Sequence, residues 1–226
     1  MTAEPGSRGD AGLTRVYWVG GGSGSGKSTI ARRLAEHYGL QLYSTDEVMA
    51  DHGGRLTPER APALAKFLAM DMDERWVERS PQEMLDSFHW FRGEGFHLIL
   101  EDLRALAANG PVVAEGFRLL PELVAPVLTE RTRAVWLLPS PEFRRMAFES
   151  RGSLWTIAGR TTRPERALAN LLERDRLFTD RLRHATTSLG LPAIELDGSV
   201  GADALTARVA RAFGLGDGTG QPNFRL

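Results

Sequence analysis

The sequence predicts an α/β protein, a parallel sheet with helices covering both faces. Two observations carry that expectation. Apolar runs of strand length alternate with longer helical patterns along most of the 226 residues, which is the rhythm of strands joined by helical crossovers. In addition, the stretch Gly20 to Thr29 contains G-x-x-x-x-G-K-S from Gly21 to Ser28, set between an apolar strand and an apolar-periodic helix.

The elements follow in order. Residues 1–12 and 214–226 are rich in Gly, Ser, Pro and charge and are expected to be loose tails, leaving a domain over 13–213. Strands are expected at Val16–Val19, Gln41–Ser44, Pro111–Ala114, Arg133–Leu138 and Pro192–Leu196. Helices are expected at Lys27–Tyr38, Pro121–Leu128, Pro141–Ser150, Pro164–Leu189 and Ala202–Phe213. Residues 46–106 break the rhythm. They read as mostly helical, with turns at Asp51-His52-Gly53-Gly54 and Arg92-Gly93-Glu94-Gly95. This insertion falls between the second and third strands. Ligands of open α/β sheets bind outside the carboxyl ends of the strands, so it is placed to cover an acceptor substrate.

Composition narrows the function. With 28 basic and 29 acidic residues the net charge is −1, which gives no overall pull toward nucleic acid or an anionic membrane. There is no cysteine, hence no thiolate metal site or thiol nucleophile. No signal peptide or membrane-spanning apolar run is legible, and a cytoplasmic protein is expected. Lys27 and Lys66 are the only lysines, which makes the lysine of the glycine-rich loop stand out.

That loop has a defined chemistry. Its glycines let successive N–H groups converge on phosphate oxygens, and the following helix N-terminus adds positive charge. Gly21, Gly22, Ser23, Gly24, Ser25, Gly26, Lys27, Ser28 and Thr29 are therefore expected to hold a nucleoside triphosphate, with Lys27 on the β- and γ-phosphates and Ser28 on Mg²⁺.

Further candidates sit at strand ends and in the arginine-rich segment. Asp46 follows the second strand, as a base for a hydroxyl nucleophile, a holder of metal-bound water, or a helix cap. Glu115 ends the third strand, where an acid orders the water around Mg²⁺. Gly116 would turn the chain there and Arg118 would project into the crevice as a catalytic residue, as Lys27 would from the loop. Arg144, Arg145, Arg151, Arg160 and Arg163 lie in a stretch, 144–165, expected to act as a lid, with Arg160 and Arg163 named as catalytic. Asn170 and Arg174 share a helix face and either reach the crevice or form a surface pair. Phe88-His89-Trp90-Phe91 and Phe96 make either a pocket wall or a small core for the insertion. The stretch Asp71–Asp102 holds nine acids against three arginines, whereas Arg144–Arg183 holds ten arginines against five acids. The acidic insertion favours a neutral or cationic acceptor.

With these residues named, the chain resembles the P-loop kinases of the nucleoside-monophosphate-kinase type, including the small-molecule kinases for shikimate, gluconate and antibiotic hydroxyls. Glu115-Gly116-Phe117-Arg118 resembles the Asp-Gly-Phe-Pro-Arg element of adenylate kinases, with Glu for Asp and no proline. Ser44-Thr45-Asp46 resembles their Ser-Thr-Gly-Asp element, but no arginine follows within Glu47–Asp51 to hold an acceptor phosphate. The resemblance implies a three-layer α/β/α P-loop NTPase fold with a five-stranded sheet in the order 2-3-1-4-5. It also implies an adenine site beside Asp197-Gly198-Ser199. The function it implies is a kinase that uses ATP and Mg²⁺ to phosphorylate a hydroxyl of a small-molecule metabolite, nucleoside or antibiotic. A nucleotide kinase is the nearest alternative. A P-loop ATPase switch with no phosphoryl acceptor is the alternative of another class.

Overall fold

The computed structural model describes residues 10–151 and 153–216, and of residues 147–151 and 153–155 only the backbone course. Of the expected tails, 1–12 and 214–226, residues 1–9 and 217–226 lie outside the described residues, as do Gly152 and the side chains of Arg151 and Ser153. Residues 10–12 are not loose, since Asp10 caps a 3-10 turn at Ala11–Leu13 and pairs with Arg104. Five strands form one sheet: β1 (Val16–Gly21), β2 (Gln41–Ser44), β3 (Val112–Glu115), β4 (Ala134–Pro139) and β5 (Ala193–Leu196). All neighbours pair in parallel, and the order is β2-β3-β1-β4-β5. The fold is the P-loop NTPase α/β fold.

Successive strand residues face opposite sides, and both sides are apolar. Val16, Trp18, Val112, Ala114, Ala134, Trp136 and Leu138 point into one core. Val19, Val113, Val135 and Leu137 point into the other. The second core is covered by α1 (Lys27–Tyr38), through Ile30, Ala31 and Leu34. The last helix among the described residues, Ala202–Ala212, adds Leu205, Val209 and Ala210 to that core.

Between β2 and β3 run α2 (Met49–Arg55), α3 (Pro62–Ala69), a π-helical turn (Glu74–Glu78), α4 (Pro81–Ser87) and α5 (Phe96–Asn109). The sequence signals a turn at Asp51–Gly54, but α2 runs straight through it. Gly53 and Gly54 stand in open space at ordinary φ, while His52 beside them is fully buried and anchors the helix. The Arg92–Gly95 turn forms as expected, with Gly93 and Gly95 in the left-handed region. Helix α5 covers the first core with Ile99, Leu103 and Ala107.

After β3 come α6 (Pro121–Val124), α7 (Pro141–Arg151), α8 (Ser153–Ala158), α9 (Pro164–Leu189) and α10 (Ala202–Ala212). Helix α9 has both bounds written in the chain, with Pro164 in its first turn and Gly190 closing it at φ 62°. It touches the first core with Phe178 and Leu182. Its N-terminal half packs Ala167 and Leu171 on Trp76, Val77 and Met84 of the insertion and on Ala158 of α8. No helix among the described residues is long and apolar enough to cross a membrane.

Candidate active site at the P-loop

The loop between β1 and α1 is shaped by glycine at two levels. A side chain at Gly21 would overlap the Leu137 carbonyl of β4, and one at Gly22 would come within 2.5 Å of Thr179 Oγ1 on α9. These two glycines therefore let the strand and α9 close on the loop. Gly24 and Gly26, at φ 76° and 77°, take the left-handed turns that bend the backbone into a cradle. Gly26 directly precedes α1, whose N-terminus has no side-chain cap; its N–H groups are the donors a phosphate takes. Lys27 is buried, and its Nζ donates to Gly22 O at 2.8 Å and to Ser25 Oγ at 3.5 Å, which bends the ammonium back over the loop. Ser28 and Thr29 are exposed in the first turn of α1.

Strand register builds the acidic side. Ser44 of β2 and Val19 of β1 both lie level with Glu115 of β3. Ser44 Oγ donates to Glu115 Oε1 at 2.6 Å, and Ser28 Oγ donates to the same oxygen at 3.2 Å. Glu115 is buried and its other oxygen, Oε2, has no hydrogen-bond partner. Burial pushes its carboxyl above the usual range, opposed by the Ser44 bond and the Lys27 charge. An orphaned carboxylate oxygen next to a P-loop serine fits a hydrated Mg²⁺. Such an ion keeps several waters and takes one or two protein oxygens with substrate phosphates. Among the described residues no cluster of three or more His, Asp or Glu is arranged to hold an ion alone. Gly116 follows at φ 144°, where any side chain would overlap Thr45.

Asp46 is exposed in the turn after β2, with Thr45 Oγ1 at 3.4 Å from its Oδ1. Its charge reaches both Glu115 and Arg118. Arg118 is buried rather than free in the crevice. Nη1 donates to Thr45 O at 3.3 Å, Nη2 lies 3.1 Å from His52 Nδ1, and the guanidinium stacks 4.0 Å from the Trp90 ring. Burial lowers its pKa to about 10.

The lid arginines separate into two groups. Arg160 lines a cleft of about 430 Å³ with Asp71, Met72, Asp73, Thr161 and Thr162. The Thr162 hydroxyl and N–H bond the Asp73 carboxylate and hold its pKa down, and Arg163 adds its charge there. Arg160 and Arg163 thus lie beside Asp73 of the insertion. Arg144 is instead buried beside the P-loop. Its Nη2 donates to Thr179 Oγ1, the atom that faces Gly22, and its Nε is buried without a partner. Burial lowers its pKa, against the pull of Asp175.

Asn170 and Arg174 do not form a surface pair. Asn170 Nδ2 donates to Trp76 O and Val77 O at 3.1 and 3.3 Å, serving carbonyls of the π-helical turn. Arg174 is buried, bonded through Nε and Nη2 to Asp175, with Trp76, Phe88 and Phe91 each 5.3 Å from its Cζ. The aromatic cluster is core: Phe91 stacks on Phe178 of α9 at 3.9 Å. Eight of the nine insertion acids accept hydrogen bonds within the fold. Glu94, for example, takes the Ala63 and Leu64 N–H groups at the start of α3. Much of the acidic excess is therefore committed to structure. Beside Asp197 and Gly198 at the end of β5 lies a pocket of about 140 Å³, also walled by Phe143 and Arg208.

A glycine-rich loop, its lysine and a strand-end acid on this sheet define a P-loop nucleotide-binding domain. A family model described as "AAA domain" matches residues 20–88, from the P-loop into the insertion. No curated protein matches the chain. Among solved structures, an uncharacterized protein from Eubacterium ventriosum is similar at 16% identity and a TM-score of 0.47, covering 89% of this chain and 98% of its own. TT1252 from Thermus thermophilus is similar at 21% identity and a TM-score of 0.47, with the same coverage.

Proposed function

We propose that this chain is a kinase that transfers the γ-phosphoryl group of ATP to a hydroxyl of a small molecule. The observation that carries the reading is Glu115: a buried carboxylate bridging Ser44 and Ser28, with one oxygen left for the water of a metal ion. Ser28 and Glu115 would hold Mg²⁺, which neutralises charge on the β- and γ-phosphates. Lys27 and the N–H groups opening α1 orient the triphosphate. Asp46, exposed at the strand end, accepts the proton of the attacking hydroxyl. As that oxygen bonds to the γ-phosphorus, the bond to the β-γ bridging oxygen breaks and ADP leaves. Arg144, next to Thr179 and Gly22, is seated to neutralise charge on the transferred group.

The test is ADP release across hydroxylated metabolites, nucleosides, aminoglycoside-like compounds and the four nucleoside monophosphates. Lys27→Ala serves as the dead control. Turnover with a hydroxyl compound above all monophosphates supports the reading. Efficient use of AMP, CMP, UMP or GMP replaces it with a nucleotide kinase, and ATP hydrolysis indifferent to every acceptor replaces it with a switch.

A further inference from the structure

A polar chain, buried except at the half-buried Asp102, connects the insertion to the strand ends. Tyr43 Oη on β2 donates to Asp102 Oδ2 on α5 at 2.8 Å, and His52 Nε2 on α2 lies 2.9 Å from the same oxygen. His52 Nδ1 faces Arg118 Nη2 at 3.1 Å, and Arg118 Nη1 ends the chain on Thr45 O, the carbonyl leading into Asp46. Three elements distant in sequence meet on one imidazole, which is 0% exposed.

The two neighbours determine the state of the ring. A guanidinium only donates, so Nδ1 must accept; a carboxylate only accepts, so Nε2 must carry the hydrogen. We propose that His52 is the positioning residue for Arg118, held as the neutral Nε2–H tautomer so that the guanidinium stays fixed against the Asp46 turn. A proton on Nδ1 would set two donors against each other and release Arg118 from the chain.

The groups facing the ring agree with this. Asp102 favours a cation, with its own charge shared by Tyr43 and by Arg55, whose Nη1 lies 3.9 Å from Asp102 Oδ1. Arg55 also engages Asp51 and Glu101, at 3.4 and 3.1 Å. Against Asp102 stand burial, Arg118 and Arg55, and the net result is a His52 pKa below its ordinary value. The ring therefore stays neutral at physiological pH. The consequence for turnover rests on the kinase reading; the state of the ring does not.

The test has two arms. In protein carrying ¹⁵N in its histidine rings, the His52 signals are assigned by their loss in His52→Gln. At pH 7 they should show a protonated Nε2 and a bare Nδ1, with a protonation midpoint below about 6.5. Arg118→Met should raise that midpoint by freeing Nδ1. A hydrogen on Nδ1, a charged ring at pH 7, or a midpoint unmoved by Arg118→Met overturns the proposal. In the second arm, His52→Leu should lower kcat by about 10²-fold, the scale for a misplaced group, with ATP affinity kept. His52→Gln, neutral at every pH and able to make both bonds, should restore most of kcat and shift its acid limb to lower pH. Equal kcat in His52→Leu and wild type overturns the positioning role. If wild type releases ADP with no acceptor at all, the kinase reading fails while the ring spectra still decide this proposal.

Discussion

Glu115→Gln separates a metal-shell carboxylate from a merely structural one. The amide is isosteric, and its oxygen can keep the bonds from Ser44 Oγ and Ser28 Oγ now made at 2.6 and 3.2 Å. Those bonds weaken, because a charged acceptor contributes about 1.5–3 kcal/mol and a neutral one about 0.5–1.5. Opposing that loss, the buried charge disappears, although the amide NH2 then stands where Oε2 has no partner. The two changes are of similar size, so stability without ligands should move by no more than about 1 kcal/mol, or roughly 2–4 °C in Tm. Mg²⁺ dependence should not be spared. Loss of an outer ligand to a metal typically costs about 10–100-fold in affinity or activity. The assays are ADP release against Mg²⁺ concentration and thermal unfolding of ligand-free protein. A Mg²⁺ titration that overlays wild type would refute the assignment. A fall in Tm of ligand-free protein well beyond that range would show that Glu115 serves the fold first.

Other outcomes follow from the same geometry. Asp46→Asn should keep ATP binding, measured by equilibrium dialysis, and lose about 10²–10⁴-fold in kcat as a missing base would; near-normal kcat removes Asp46 from that role. Asp73→Ala removes the acceptor of both Thr162 bonds, so amide exchange over residues 156–165 should quicken, and unchanged protection would mean the lid is held elsewhere. Acid should destabilise the fold through His89, whose Nδ1 is buried without a partner and whose pKa is lowered to about 4 by burial and by the Arg118 and Arg75 charges. The unfolded chain takes up that proton near pH 6.5 and the native one does not, so stability falls as pH drops from about 6.5 toward 4. The full linkage is at most about 3 kcal/mol. Urea melts at pH 7 and pH 4.5 should show a smaller difference for His89→Leu than for wild type.

The frame of this molecule was legible because local chemistry writes it. All five strands lie within two residues of their expected bounds, and α9 matches Pro164–Leu189 residue for residue. The P-loop and Glu115 were readable because a motif fixes one and its strand fixes the other. What escaped depends on residues far apart in the chain. Gly53-Gly54 carries a turn signal, and only the burial of His52 against α5 overrides it. His52 and Asp102 are fifty positions apart, with no spacing to join them. Composition marks Arg144, Arg160 and Arg163 alike as lid arginines, and only the fold sets Arg144 against Thr179 and Arg160 beside Asp73. The aromatic run in the insertion gives no sign that Phe178, 87 residues after Phe91, stacks on it.

Helix α9 has a consequence for how such a protein changes over time. At 26 residues it is about 39 Å long. Asn170 grips the insertion, Thr179 sits on the P-loop, and Arg183 pairs with Glu195 of β5 at 2.8 Å. One rigid rod thus registers three regions that in a modular design would vary separately. Substitutions that reshape the insertion where it meets α9 must preserve the spacing to the loop, and few single changes do both. Diversification is freer along the cleft of about 530 Å³ between α3 and α4, at the exposed Lys66, Glu83 and Arg92, than at Phe67, which packs on the core that α9 shares with the insertion. Sister lineages of this chain should diverge at those exposed positions while keeping Asn170 and Thr179 unaltered.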